Sequence, residues 1–476
     1  MKRREVEERA QQCRAEGGAG RHRVRGDRPQ HPRHPATFTL DPVMLRLDPT
    51  APLGRSMNSM PVANSPSTTS AETPASQPID VARERARTAG SWNARHFNAA
   101  GAALPSLQVV TTTVEHLRLE EAIGGYEAAI EVKPRIEAVY DSAARLVGAE
   151  RHEIALLDSA STGLRVVLDA LRPRAGARII ASRSTYVSHA LHLMTLARED
   201  GVDLEIVPAG ADRLLDLDAL ERMLAEGPPA IVTAAHVPTS SGLVEPVAAI
   251  GALVRSYGGF FLLDATQSVG HLDTDVREIG CDVLVTTGRK FLRAPRGTGF
   301  AYVGASAFER LLPTAPDVRG AQWTSASDWH VDESARRFET WEASIAGRLG
   351  LGVAIDEALE RGMPQTQEWL TATGRAVRAA LAEIDGVALG EAIDTPSAIV
   401  TFVVEGVPSA TVVTELARDR VRVVSVPATH GQWDLGDRGI SAVVRASVHV
   451  YNDENDLATL IDRVANIART HRAGGA

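Results

Sequence analysis

Lysine is nearly missing from this chain. Of its 51 basic residues only Lys2, Lys133 and Lys290 carry a primary amine, and the rest are arginine. Chemistry that needs a side-chain amine therefore has three places to occur. Cysteine is scarcer still. Cys13 and Cys281 cannot build a disulfide framework, and Cys281 lies in an apolar stretch, so both read as inert thiols of a reduced, cytoplasmic protein. No run of about eighteen apolar residues occurs, which argues against a transmembrane helix. The opening residues lack the apolar core of a secretory signal. A net charge of −9 gives no electrostatic basis for nucleic acid or an anionic membrane as partner. His189 and His192 share a helix face, but with no third ligand nearby no metal is expected. Gly347, Gly350 and Gly352 have the look of a dinucleotide loop. With no strand before them, close helix packing is the better account.

What is present divides into three parts. The 476 residues exceed one ordinary core and suggest two domains plus extras. Residues 1–88 read as a disordered N-terminal extension. Its Ser/Thr/Pro/Ala-rich stretch 56–77 cannot bury enough surface to offset its ordering entropy. A translation start at Met44, Met57 or Met60 is an alternative account of it. In residues 89–340 short apolar runs alternate with helical patterns. Strands are expected at 154–157, 178–181, 204–207, 230–234, 260–263, 283–285 and 299–303, with helices such as 163–171, 188–198 and 247–257 between them. The alternation predicts an α/β large domain with a mostly parallel seven-stranded sheet, whose sites sit at the C-terminal strand ends. Residues 341–476 read as a smaller C-terminal α+β domain, to which the first residues of the large domain contribute. It has helices at 343–361 and 454–470 and strands at 398–404, 421–426 and 443–450.

Two positions after strands carry the chemistry. Asp264 ends the apolar run 260–263, where a carboxylate is costly unless a positive group meets it. It reads as a helix N-cap, a metal ligand, or the partner of a protonated pyridine nitrogen in a ring that works as an electron sink. Lys290 follows the next strand, 26 residues on, in Thr286-Thr287-Gly288-Arg289-Lys290. Burial and an adjacent cation, here Arg289, lower an amine's pKa and fit it for imine formation. Lys2 lies in the extension and Lys133 precedes Pro134 on a solvated helical stretch, which leaves Lys290 as the Schiff-base candidate. The run Asp158-Ser159-Ala160-Ser161-Thr162-Gly163 stands between a strand and a helix. Free N–H groups and the helix dipole suit a phosphate there; plain N-capping accounts for the same residues.

The segment 264–299, DATQSVGHLDTDVREIGCDVLVTTGRKFLRAPRGTG, resembles the core signature of the class V aminotransferase family. That family includes cysteine desulfurases, isopenicillin N epimerase and the C–S lyases of ergothioneine synthesis. The likeness runs from about residue 97 to the C-terminus. It implies a fold-type-I enzyme that uses pyridoxal 5′-phosphate (PLP) on an amino-acid substrate, usually as a homodimer with sites at the subunit interface. On this resemblance Lys290 is the Schiff-base lysine, Asp264 the pyridine-nitrogen partner and Gln267 the contact to the ring hydroxyl. Ser161 and Thr162 match the phosphate-binding pair, and Thr287 adds a hydroxyl to the phosphate. Tyr186 falls where a ring stacks on the cofactor. Thr239 replaces an asparagine common in desulfurases, and Arg289 stands where they carry histidine. Arg445, in Arg445-Ala446-Ser447-Val448-His449-Val450-Tyr451-Asn452, matches the arginine that binds the substrate's α-carboxylate, a role its fork-shaped guanidinium suits. The run 337–342 matches a stretch linking the two domains.

Which bond is broken is a separate question, since fold alone does not settle it. Family desulfurases use a mobile-loop cysteine, and the corresponding region 424–442 has none. Residues 120–128, EEAIGGYEA, resemble the matching stretch of the ergothioneine-pathway C–S lyases. The expectation is β-elimination from a cysteine-derived conjugate or sulfoxide, with Lys290 as the base that removes the α-proton. An epimerase or aminotransferase is the alternative; a desulfurase or a non-catalytic PLP-binding protein ranks below both.

Overall fold

Six strands run parallel and a seventh opposes them in the large sheet. They are β1 (Ile154–Leu157), β2 (Arg178–Ala181), β3 (Asp203–Ile206), β4 (Ile231–Ala235), β5 (Phe260–Asp264), β6 (Val283–Thr287) and β7 (Gly299–Val303). Their spatial order is β1-β7-β6-β5-β4-β2-β3, and β7 is antiparallel to both of its neighbours. β5 and β6 are buried along their whole length, as central parallel strands covered on both faces must be. Each expected strand is present, shifted at most by a residue or two at its ends. This computed structural model describes residues 78–474; what was expected of residues 1–77 lies outside them. Among the described residues no helix is long and apolar enough to cross a membrane.

A second, antiparallel sheet holds Val387–Leu389, Ile399–Val404, Ala442–Ser447 and Val424–Pro427 in that order. Sequence periodicity missed Val387–Leu389, and also a hairpin, Ala321–Ser325 with Asp328–Val331, whose strands are largely exposed and polar. Residues 421–422 leave the expected strand 421–426 to pair with Arg95–His96 instead. The long helix Ile345–Arg361 sends Leu351, Ala354, Ile355 and Ala358 into the core of the large sheet. The region read as the small domain from residue 341 thus begins with a helix that packs on the large sheet. Helical periodicity reports that a face is buried, not against which sheet.

Residues 78–88, read from sequence as part of the unfolded extension, are ordered. Asp80 caps the helix Val81–Ala86, its carboxylate accepting from Arg83 N at 2.9 Å. Glu84, only 4% exposed, pairs with the fully buried Arg293 at 2.7 Å. A polar segment held by buried charge has no apolar period to announce it. A second buried pair staples the two sheets. Arg378 meets Glu391 at 3.3 Å and donates to the carbonyls of Thr395, Ser397 and Ile399. Glu391 in turn accepts from Gly242 N at 3.1 Å and Thr401 N at 2.8 Å.

Removing one partner of a buried pair strands the other charge and costs about 3–5 kcal/mol. Glu84→Gln is therefore expected to destabilise the protein by an amount in that range in chemical denaturation. A loss under about 1 kcal/mol, the range of exposed pairs, would show that the N-terminal helix is not part of the folded unit.

Candidate active site

The C-terminal ends of the parallel strands open on one cavity of about 490 Å³. Asp264, Gln267, Thr287 and Lys290 line it from the turns after β5 and β6. Ser161 enters from the turn after β1, Tyr186 from that after β2, Thr239 from that after β4, and Arg445 from the second sheet. Thr162 does not reach the wall. Its hydroxyl accepts from Ser159 Oγ at 3.1 Å, and its amide donates to the same oxygen at 3.2 Å. Ser159, the N-cap of the helix Ala160–Ala170, lines the cavity in its place. The helix's first bond runs from Gly163 N to Ser159 O at 3.0 Å, so the amides of Ala160 and Ser161 have no intrahelical partner.

Lys290 is 7% exposed. Burial and then the Arg289 guanidinium push its amine down to about 7; Asp264 opposes the fall and Arg445 adds to it. The turn is fixed from both sides. Gly270 takes a left-handed φ of +83°, and a Cβ there would stand 2.8 Å from the carbonyl carbon of Phe291, so only glycine lets the two turns meet this closely. Phe291 stacks between His271 at 4.2 Å and His449 at 5.7 Å, ring centre to ring centre. His449 Nε2–H donates to Phe291 O at 3.0 Å while its Nδ1 accepts from Val450 N. His271 Nδ1–H donates to Gln267 O and its Nε2 accepts from Ala398 N. Burial holds both imidazoles well below the ordinary histidine range, so they pack as neutral rings with every nitrogen satisfied.

Arg445 Nη1 donates to Thr239 O at 2.9 Å and Thr239 Oγ1 at 2.7 Å, and Nη2 to Asn98 Oδ1 at 3.3 Å. Its buried Nε has no protein partner. Burial lowers this guanidinium to about 10, which leaves it charged at neutral pH. Gln267 Nε2 donates to Ala100 O at 3.0 Å and Thr239 Oγ1 at 3.4 Å, leaving its buried Oε1 unpartnered. The Thr239 hydroxyl accepts twice and so keeps its own proton to donate. Thr287 Oγ1 donates to Thr298 O at 3.2 Å and faces the cavity as an acceptor.

These groups fit PLP. The Asp264 carboxylate accepts only from Thr266 N at 3.0 Å within its own turn and has capacity for a ring N–H. Gln267 Oε1 is a buried acceptor without a donor, as a ring hydroxyl requires. The free amides of Ala160 and Ser161, with the Ser159 and Ser161 hydroxyls, could hold a phosphate. Lys133, by contrast, is exposed at the start of the helix Lys133–Val147, far from being a buried amine. His189 and His192 spend their Nε2 atoms on Thr233 and Asp169.

Sequence reasoning missed several wall residues. Ser159 lay in the run read as either a phosphate site or plain N-caps, from which the resemblance singled out Ser161 and Thr162. His430 follows the strand Val424–Pro427, where residues after strands deserved the same scrutiny as Asp264. Arg296 is exposed, and Ala100 and Gly101 come from the short helix Ala99–Ala102, which no motif marks.

Comparison with known proteins bears on this arrangement. The sequence model of the family described as Aminotransferase class-V matches residues 96–460. A probable cysteine desulfurase of Methanothermobacter thermautotrophicus is 26% identical over 368 residues, 77% of this chain and 92% of that protein. A probable hercynylcysteine sulfoxide lyase of Mycobacterium tuberculosis is 28% identical over 383 residues, 80% of this chain and 91% of that one. The apo cysteine desulfurase of Thermococcus onnurineus superposes with a TM-score of 0.76 at 23% identity, covering 83% of this chain and all of its own. That likeness establishes the fold-type-I arrangement.

An amine titrating near 7 makes a prediction about cofactor capture. Capture of added PLP by the apo protein, followed by visible absorbance, is expected to accelerate with pH and be half-maximal at about 7. An ordinary lysine would place that midpoint near 10. Lys290→Ala is expected to abolish the covalent band; a band surviving that change would move the anchor elsewhere.

Proposed function

The chain belongs to the aminotransferase class-V family and is a PLP-dependent enzyme, and we propose that it is a C–S lyase that takes a cysteine-derived conjugate or sulfoxide through β-elimination. The observation that carries this reading is the chemistry of the cavity wall, which offers an amine, guanidinium groups and hydroxyls but no thiol. Passing sulfur to the protein itself needs a thiolate within reach. The segment 424–442 contains no cysteine. Cys281 is packed into the core, and burial pushes its thiol far above the ordinary range. Similarity to the probable hercynylcysteine sulfoxide lyase supports the same reading.

PLP, when bound, supplies a ring that accepts the electron pair left when a bond to the substrate's α-carbon breaks. The protein's part falls to named groups. Asp264 would pair with the ring nitrogen, Gln267 Oε1 would accept from the ring hydroxyl, and Tyr186 would cover a face. Ser159, Ser161 and the adjoining amides hold the phosphate. Arg445 takes the α-carboxylate through Nε and its remaining donors, with Thr239 and Asn98 fixing its fork. Lys290 anchors the cofactor at rest. With its Nζ free and half of it neutral near pH 7, Lys290 would be the group placed to remove the α-proton. The Cβ–S bond then breaks with the electron pair leaving on sulfur, which takes up a proton. With one water consumed, the balance is pyruvate, ammonia and the released sulfur fragment.

The assembly we propose is a homodimer. Leu107, Val110, Val114 and Leu117 recur at intervals of three and four along the helix Leu107–Ile123 and are all exposed. Such a stripe on a helix face marks a contact surface. Ser106, which caps this helix, follows closely on the Ala100–Gly101 wall of the cavity, so a second copy seated there would lie beside the site.

Cysteine conjugates and their sulfoxides are expected to release pyruvate and ammonia in equal amounts. Solvent deuterium at Cα without pyruvate would instead make the enzyme an epimerase, and alanine with protein-bound sulfur a desulfurase. Arg445→Lys, which loses the fork, is expected to raise KM about ten- to hundredfold, the worth of a charge-assisted hydrogen bond, with a smaller effect on kcat. In sedimentation, Leu117→Arg is expected to shift a dimer to monomer; a wild type that sediments as a monomer would remove the dimer from the proposal.

A further inference from the structure

We propose that Arg289 reads the substrate's side chain, receiving a second anionic group carried on the sulfur substituent while Arg445 receives the α-carboxylate. The inference rests on the C–S lyase reading and names its substrate class: cysteine conjugates whose S-substituent ends in a carboxylate or sulfonate.

Arg289 directly precedes Lys290 and lines the same cavity. It is half-buried, and one Nη donates to Gly101 O. Among the described residues no carboxylate pairs with it; the neighbours that act on its charge are Arg296, which repels it, and Tyr186. A half-buried guanidinium with donors to spare and no counter-ion is only partly hydrated, and an oxyanion entering the cavity would meet those donors in a charge-assisted bond. The cavity's charges are unbalanced in the same direction. Lys290, Arg289, Arg296 and Arg445 stand on its wall against Asp158 and Asp264. Asp264 is committed to the cofactor nitrogen and Arg445 to the α-carboxylate, which leaves Arg289 without an anion.

Two oxyanions could reach it, the cofactor phosphate or a substrate group. Position favours the substrate. The phosphate end of the cavity is marked by Ser159, Ser161 and the start of the helix Ala160–Ala170. Arg289 is tied to Gly101, in the short helix Ala99–Ala102 that follows directly on Asn98, which holds Arg445. Its charge also acts on Arg445, lowering it. Two guanidinium groups sharing one field are relieved together by a ligand with two negative ends.

The test uses PLP-loaded wild type, Arg289→Gln and Arg289→Lys, with S-(2-carboxyethyl)cysteine and uncharged S-propylcysteine as paired substrates. The ratio of their kcat/KM values for pyruvate release is read, which cancels any effect on Lys290 common to both. Wild type is expected to favour the anionic conjugate by about ten- to hundredfold, Arg289→Gln to bring the ratio close to one, and Arg289→Lys to keep part of it. PLP dissociation, read by visible absorbance, reports the other source. If Arg289→Gln weakens PLP binding and leaves the ratio as it was, Arg289 serves the phosphate and the inference is overturned. A wild-type ratio near one overturns it as well. Should neither conjugate yield pyruvate, the lyase reading fails separately, and calorimetry still decides Arg289. Succinate, with two carboxylates, must then bind wild type about tenfold or more tighter than Arg289→Gln, with butyrate showing no such difference; equal succinate affinities would sink it.

Discussion

Burying Lys290 sets the terms for everything around it. An ammonium withdrawn from water loses its hydration, and the structure answers by letting the amine be neutral near pH 7 instead of supplying it with a carboxylate contact. That outcome needs a turn that cannot swing the side chain back to solvent. Phe291 and Leu292, both fully buried, anchor the chain immediately beyond it. Gly270 brings the turn after β5 against the turn after β6 with no room for a side chain between them. The amine is thus desolvated by the packing of its neighbours, and its reactivity follows from core architecture.

The site also depends on registry between two sheets. Lys290 and Asp264 belong to the large sheet, Arg445 to the small one. Besides the bond from Ala398 N to His271 Nε2, three contacts hold the relation. The fully buried Arg378–Glu391 pair reaches Gly242, a few residues beyond Thr239. His449, just past the Arg445 strand, donates to the carbonyl after Lys290. Thr239 itself joins Arg445 to Gln267 through one oxygen. Buried charge pairs contribute little net stability but tolerate no change of partner or geometry, which suits a joint that must fix carboxylate and amine positions together.

What was legible in the sequence follows a physical division. The strand ends were legible because buried parallel strands are continuous apolar runs, and the residue that breaks the run is polar for a reason; Asp264 and Lys290 were found this way. Arg445 was reached through motif likeness, since nothing in its strand's pattern distinguishes an arginine that faces a cavity from one that faces water. Thr162 shows an ambiguity of the sequence: hydroxyls at a helix start can cap or bind, and here Ser159 does the capping and stands at the wall while Thr162 accepts its proton. The helix Val81–Ala86 was hidden because Glu84 and Arg293 are buried by each other, a contact between residues 209 apart in sequence. His430, Gly101 and Asn98 come from single helical turns and their caps, too short to carry a period, whose positions are set by tertiary packing.

On the cavity wall, the use of arginine at every Lys/Arg position but one acquires a chemical reason from this geometry. A cavity that takes anionic ligands needs positive charge, and a cavity that forms an imine needs one neutral amine. Lysines could not serve both ends at once: burial and mutual repulsion that neutralise one would neutralise its neighbours, and each neutral amine would compete for the same aldehyde. Guanidinium groups separate the two tasks. Arg445, lowered to about 10 by the same kind of burial, is still fully charged where Lys290 is half-neutral. Arg289 goes further, since its charge is one of the causes of the amine's depressed pKa. The arginines of the wall can therefore meet anions and tune the amine while remaining inert toward an aldehyde. That leaves Lys290 as the one wall residue able to bond to it.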